Sequence, residues 1–108
     1  MESKPVLFLV GTDIVPGKEK EYNEWYDKTH LSMVLKCPGV MRAKRYQIVE
    51  PIPNFPKYLT IYELSNEASI EAMTNSPQLR TVREDPSKPF SDTDMTVKWR
   101  VHYKQITP

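Results

Sequence analysis

In the segment EYNEWYDKTHLSMVLKCPGV, Trp25, Tyr26 and His30 stand within six positions of one another. An imidazole whose reference pKa lies near neutrality serves as a general acid or base, and modest burial tunes it further. Tyr22, Trp25 and Tyr26 share one helical face and would make an aromatic wall for an apolar or planar ligand, with Met33 continuing that face. A buried phenol needs a hydrogen-bond partner, so Tyr26 and the later Tyr62 can offer theirs to a ligand. Asp27 lies three residues before His30, near enough on a helix to orient the imidazole and raise its pKa. Arg45 is a candidate anchor for a carboxylate or phenolate. Each residue also has a plain structural role open to it: a satisfied histidine at a helix break, a core stripe, a solvated acid, or a cap on the polar face of a hairpin.

Other chemistries find no support. The two histidines are far apart and Cys37 is the one cysteine, so neither a metal site nor an internal disulfide is expected, and Cys37 reads as a small packing residue. No Ser-His-Asp set, phosphate loop or dinucleotide fingerprint occurs. The formal net charge is +1, with no block of five like charges, which argues against nucleic acid or anionic lipid as partners. The longest apolar run, Pro5 to Val10, is too short to span a bilayer and lacks the flanks of a signal peptide. A cytoplasmic protein that begins at its mature fold is the expectation.

A chain of 108 residues suits one domain, 1–108, whose pocket must lie under a helix or at a subunit interface. Val6 to Val10 reads as a strand covered on both faces and ended by Gly11, Thr12 and Asp13. Pro16 and Gly17 open an amphipathic helix that Pro38 and Gly39 stop. Val40 to Val49 and Lys57 to Leu64 form a hairpin whose long loop holds Pro51, Pro53 and Pro56. Ser65 or Asn66 caps a helix from about Glu67 to Thr74, and a further turn can follow through PQLRTVRED. The last strand, MTVKWRVHYKQI, alternates: Val97, Trp99, Val101 and Tyr103 face one side, Lys98, Arg100, His102 and Lys104 the other. That basic stripe would bind an anionic group, meet acids of a second subunit, or discourage unwanted strand pairing. The order β-α-β-β-α-β is the ferredoxin-like α+β arrangement, a four-stranded antiparallel sheet with two helices on one face. The other face then awaits a partner, and a homodimer through it is expected.

The stretch YNEWYDKTHLSMVLKCPGVMRAKRY resembles the EthD-like group of the dimeric α+β barrel superfamily, at Trp25, Tyr26, His30, Leu31, Pro38, Gly39, Arg45 and Tyr46. YLTIYEL, Tyr58 to Leu64, is similar to that group's third strand. Ser32 stands where the group usually has proline. It would either cap a new turn through Met33 to Lys36 or leave one continuous helix that rotates Met33 and Val34. The resemblance implies a dimeric barrel with a ligand between sheet and helices, and relatives that include cofactor-independent monooxygenases, muconolactone isomerases, aldoxime dehydratases, haem-degrading oxygenases and chlorite dismutases. One fold with so many chemistries does not name the reaction. The first expectation is an enzyme without cofactor that uses His30 as acid or base on an apolar or aromatic, oxygen-bearing molecule, by oxygenation, decarboxylation, dehydration or isomerisation. A non-catalytic metabolite-binding protein is the second. A haem enzyme with His30 or His102 as axial ligand is the third.

Overall fold

The computed structural model describes residues 4–108. Its strands are β1 (Val6–Ile14), β2 (Val40–Gln47), β3 (Tyr58–Leu64) and β4 (Met95–Lys104), and its α-helices α1 (Glu19–Trp25), α2 (Leu31–Val34), α3 (Ala68–Thr74) and α4 (Pro77–Arg83). The sheet runs β2-β3-β1-β4 with every neighbouring pair antiparallel. This is the ferredoxin-like α+β fold. β1 continues four residues past the expected stop at Val10, because Gly11–Ile14 go on pairing with β4.

The helix that carries His30 does not break. Tyr26–His30 form a π-helical turn joining α1 to α2, with all flanking residues in right-handed helical conformation and the Leu31 N–H bonded to the Tyr26 carbonyl. Ser32 caps nothing; it lies inside α2. Downstream, Asn66 rather than Ser65 receives the first-turn Ser69 N–H, at 3.1 Å. Ser76 caps α4 through the Leu79 N–H, also at 3.1 Å, with Pro77 preset in the first helical position.

Strand alternation sends Tyr58, Thr60, Tyr62 and Leu64 of β3 inward, and they pair with Thr12, Val10, Phe8 and Val6 of β1. α2, α3 and α4 close over these residues through Val34, Met73 and Val82, while Tyr22, Trp25, Tyr26, Tyr58 and Phe90 form a second, aromatic cluster.

β4 departs from simple alternation. Gly11 faces Trp99 but Thr12 faces Val97, so Lys98 is an extra residue and the strand bulges there. The expected grouping of Val97 with Trp99, Val101 and Tyr103 is therefore corrected: Met95 and Val97 share the helix-covered face with Arg100 and His102. Gly11 permits this, since a Cβ there would lie 2.6 Å from Pro56 Cγ and 2.9 Å from Trp99 Cζ2. The opposite face carries Leu7, Tyr46, Trp99, Val101 and Tyr103, all exposed.

Candidate active site

A cavity of about 670 Å³ lies between the sheet and the helices. The helix wall is Trp25, Tyr26, His30 and Val34; Tyr62 of β3 and Phe8, Val10 and Thr12 of β1 make the floor. The π turn shapes that wall. In an α-helix, positions five apart point ~140° away from each other, yet the Trp25 and His30 rings lie 4.6 Å apart, centroid to centroid. Tyr26 meets His30 edge-on at 4.7 Å. Local winding with an extra residue is what brings both rings to one imidazole.

Burial pushes the His30 pKa down to about 4; Asp85 opposes this, while Arg45 and Lys88 add to it. The imidazole is therefore neutral near pH 7, an acceptor of protons rather than a donor of one. Its Nδ1 is buried with no hydrogen-bond partner. Asp85 accepts a hydrogen bond from Trp25 Nε1 at 3.1 Å, and Ser87 holds it through its N–H at 2.9 Å and Oγ at 2.7 Å. Those bonds, the Ser87 N–H first, hold the Asp85 carboxyl below its ordinary value.

The sequence candidates divide. Trp25, Tyr26, His30 and Tyr62 line the cavity. Tyr22 and Arg45 stand behind the wall. Tyr22 is fully buried and hydrogen-bonded to Thr12, and desolvation pushes its phenol up to about 12. The Arg45 guanidinium packs over the Tyr26 ring, 4.4 Å from its centroid, and bonds Asp27 at 2.7 Å and Asn23 at 2.8 Å. Asp27 is thus turned to Arg45, and the acid whose charge acts on His30 is Asp85. Met33 packs against the aliphatic core instead of the cavity. Tyr62 lies deep, and burial, with Tyr26 beside it, raises its pKa.

Sequence reasoning missed most of the far wall: Met95 and Val97 of β4, with Arg83, Asp85 and Lys88 from the end of α4 and the loop after it, beside Arg100 and His102 of the basic stripe. The period-two basic stripe was a signal for Arg100 and His102, but it did not say which face they occupy. Among the described residues no cluster of three metal-ligating side chains occurs, and no helix is long and apolar enough to cross a membrane.

No family model and no curated protein matches the sequence. Solved structures match its fold. An ethyl tert-butyl ether D (EthD) family protein from Bacillus halodurans superposes with a TM-score of 0.66 at 17% identity, over 95% of this chain and 99% of that one. The fold is that of the EthD-type proteins. The EthD-type architecture is shared with SnoaB, a cofactor-independent oxygenase from Streptomyces nogalater, at a TM-score of 0.59 and 11% identity over 98% of this chain and 97% of that one. It is shared also with the haem degrader MhuD of Mycobacterium tuberculosis, solved with two haems in its active site, at a TM-score of 0.65 and 12% identity over 95% and 97% of the two chains.

Proposed function

We propose that this EthD-type chain is a small-molecule enzyme that needs no cofactor and uses neutral His30 as a base toward an apolar or aromatic, oxygen-bearing substrate. The observation that carries the reading is the uncharged, unpartnered imidazole set in an aromatic cavity wall. A base with a conjugate-acid pKa of about 4 is a weak one. Taking a proton from an ordinary phenol near pKa 10 would be uphill by about 8 kcal/mol, well inside the roughly 16 kcal/mol barrier of a typical turnover. An anion stabilised by resonance and paired with the new imidazolium lowers that cost further. Naphthols, quinols and 1,3-dicarbonyl compounds meet this requirement. Proton removal from them is the step that opens cofactor-free oxygenation or isomerisation, and the kinship in fold with a cofactor-independent oxygenase supports it.

The test is a panel of 2-naphthol, quinols, aromatic acids and haemin, read by thermal shift, oxygen uptake and absorbance, with wild type and His30→Gln side by side. A ligand that raises the wild-type melting temperature and is turned over only when His30 is present is the expected result. Binding without turnover of any compound would instead mark a sequestering protein. A His30-dependent Soret band with haemin would move the reading to haem, which the neutral imidazole would suit as an axial ligand, with Arg83 and Arg100 for the propionates.

The exposed apolar face formed by Leu7, Trp99, Val101 and Tyr103 supports a second copy of the chain as its cover. Sedimentation at micromolar concentration should give a dimer, and a monomer there contradicts this part of the reading.

A further inference from the structure

An edge strand is guarded against wrong pairing by charges, inward-pointing ones included, and by bulges. β4 carries both devices, and its inward charges also reach a cavity. Its outward face shows Trp99, Val101 and Tyr103, while Arg100 and His102 line the cavity on the side that carries the helices. The bulge at Lys98 makes this possible by aligning Met95 and Val97 with Arg100 and His102 along one apolar-to-basic track.

The four basic residues of the stripe are engaged to different degrees. Lys104 pairs with Glu67 at 2.9 Å, and Lys98 lies 4.0 Å from Asp13. The His102 imidazole stacks on Phe8, ring centroids 4.6 Å apart. Arg100 takes part in no ion pair among the described residues. The same is true of Arg83, which lines the cavity from the end of α4. Two carboxylates lie nearby, but Asp92 is ion-paired with Lys88, and Asp85 is occupied by Trp25 and Ser87. Both arginines thus line the cavity without a carboxylate partner among the described residues.

We propose that this end of the cavity is an anion subsite, in which Arg100 and Arg83 take a carboxylate carried by the substrate while its apolar body lies against Trp25, Tyr26 and Phe8. The inference rests on the cavity being the substrate site, and it narrows the substrate class to aromatic acids whose oxygen-bearing ring sits by His30. Guanidinium suits the task because its planar fork matches a carboxylate with two parallel hydrogen bonds.

The test compares 6-hydroxy-2-naphthoate with 6-hydroxy-2-naphthamide, which has nearly the same shape and no charge. The wild type should bind the carboxylate about fivefold more tightly, a modest factor because both arginines are exposed to water. That ratio should fall to near one in Arg100→Gln and in Arg83→Gln, and it should shrink in about 0.5 M salt. Taking the ratio within each protein removes any general loss of stability. A ratio at or below one in the wild type, with amide binding still dependent on His30, would overturn the subsite and leave the cavity reading standing. A ratio that both variants preserve would overturn it equally. If neither compound nor 2-naphthol binds, the cavity reading itself fails, and the subsite fails with it.

Discussion

Between pH 6.5 and pH 4 the wild-type protein is expected to lose about 3 kcal/mol of folding stability that His30→Gln retains. Desolvation holds the His30 imidazole down to about 4, from an ordinary 6.5. Through that window the unfolded chain binds a proton that the folded chain refuses. The stability is therefore complete above pH 6.5, declines as pH falls, and levels off below pH 4. Arg45 and Lys88 strengthen the refusal, and Asp85 weakens it. Glutamine keeps a polar side chain of similar reach but cannot titrate, so the difference between the two proteins isolates His30 from acids such as Asp85 and Glu19, whose depressed values act at lower pH. Urea unfolding at about pH 7, 5.5 and 4 reads the difference. Parallel stability curves for the two proteins would contradict it.

Gly39→Ala should cost about 2–4 kcal/mol, a large part of the stability of a small domain. Gly39 joins the helix bearing His30 to β2 with φ at +83°, a backbone state that L side chains rarely adopt. A Cβ there would lie 2.5 Å from both Cβ and Oγ of Ser69, and 3.3 Å from its Cα. Ser69 has no freedom to yield. It is buried at the start of α3, its N–H and hydroxyl both bonded to Asn66. The Gly39 carbonyl is also held by the Ser65 N–H at 3.0 Å. Gly17→Ala is the matched control, since nothing lies within 4 Å of a Cβ at that position. Chemical denaturation of both variants measures the contrast, and a loss below about 1 kcal/mol for Gly39→Ala would show that the junction tolerates movement.

The strand order, the aromatic helix and the candidate His30 were legible because each follows a fixed repeat, of two residues along a strand or 3.6 along a helix. The features that shape the cavity break those repeats. The π turn sets Trp25 against His30, a pairing that a helical wheel of period 3.6 keeps apart. The Lys98 bulge reverses the face of Val97, and it depends on Gly11 meeting Trp99 and Pro56, residues distant in sequence. Asp85 is illegible in the sequence for a similar reason. It lies in a polar loop with no period at all, and only the fold carries it to Trp25. Asp27, three residues from His30, lies within helical reach of it, but Arg45 on β2 takes its carboxylate.

The central claim is that His30 is a neutral base in a small-molecule site, and side-chain nitrogen NMR of the histidines tests it most directly. The expected result is a His30 imidazole that stays neutral at pH 6 and titrates near 4, with resonances that move when 2-naphthol is added. A His30 that titrates at its ordinary value near 6.5, and that no ligand of the panel disturbs, would contradict the account.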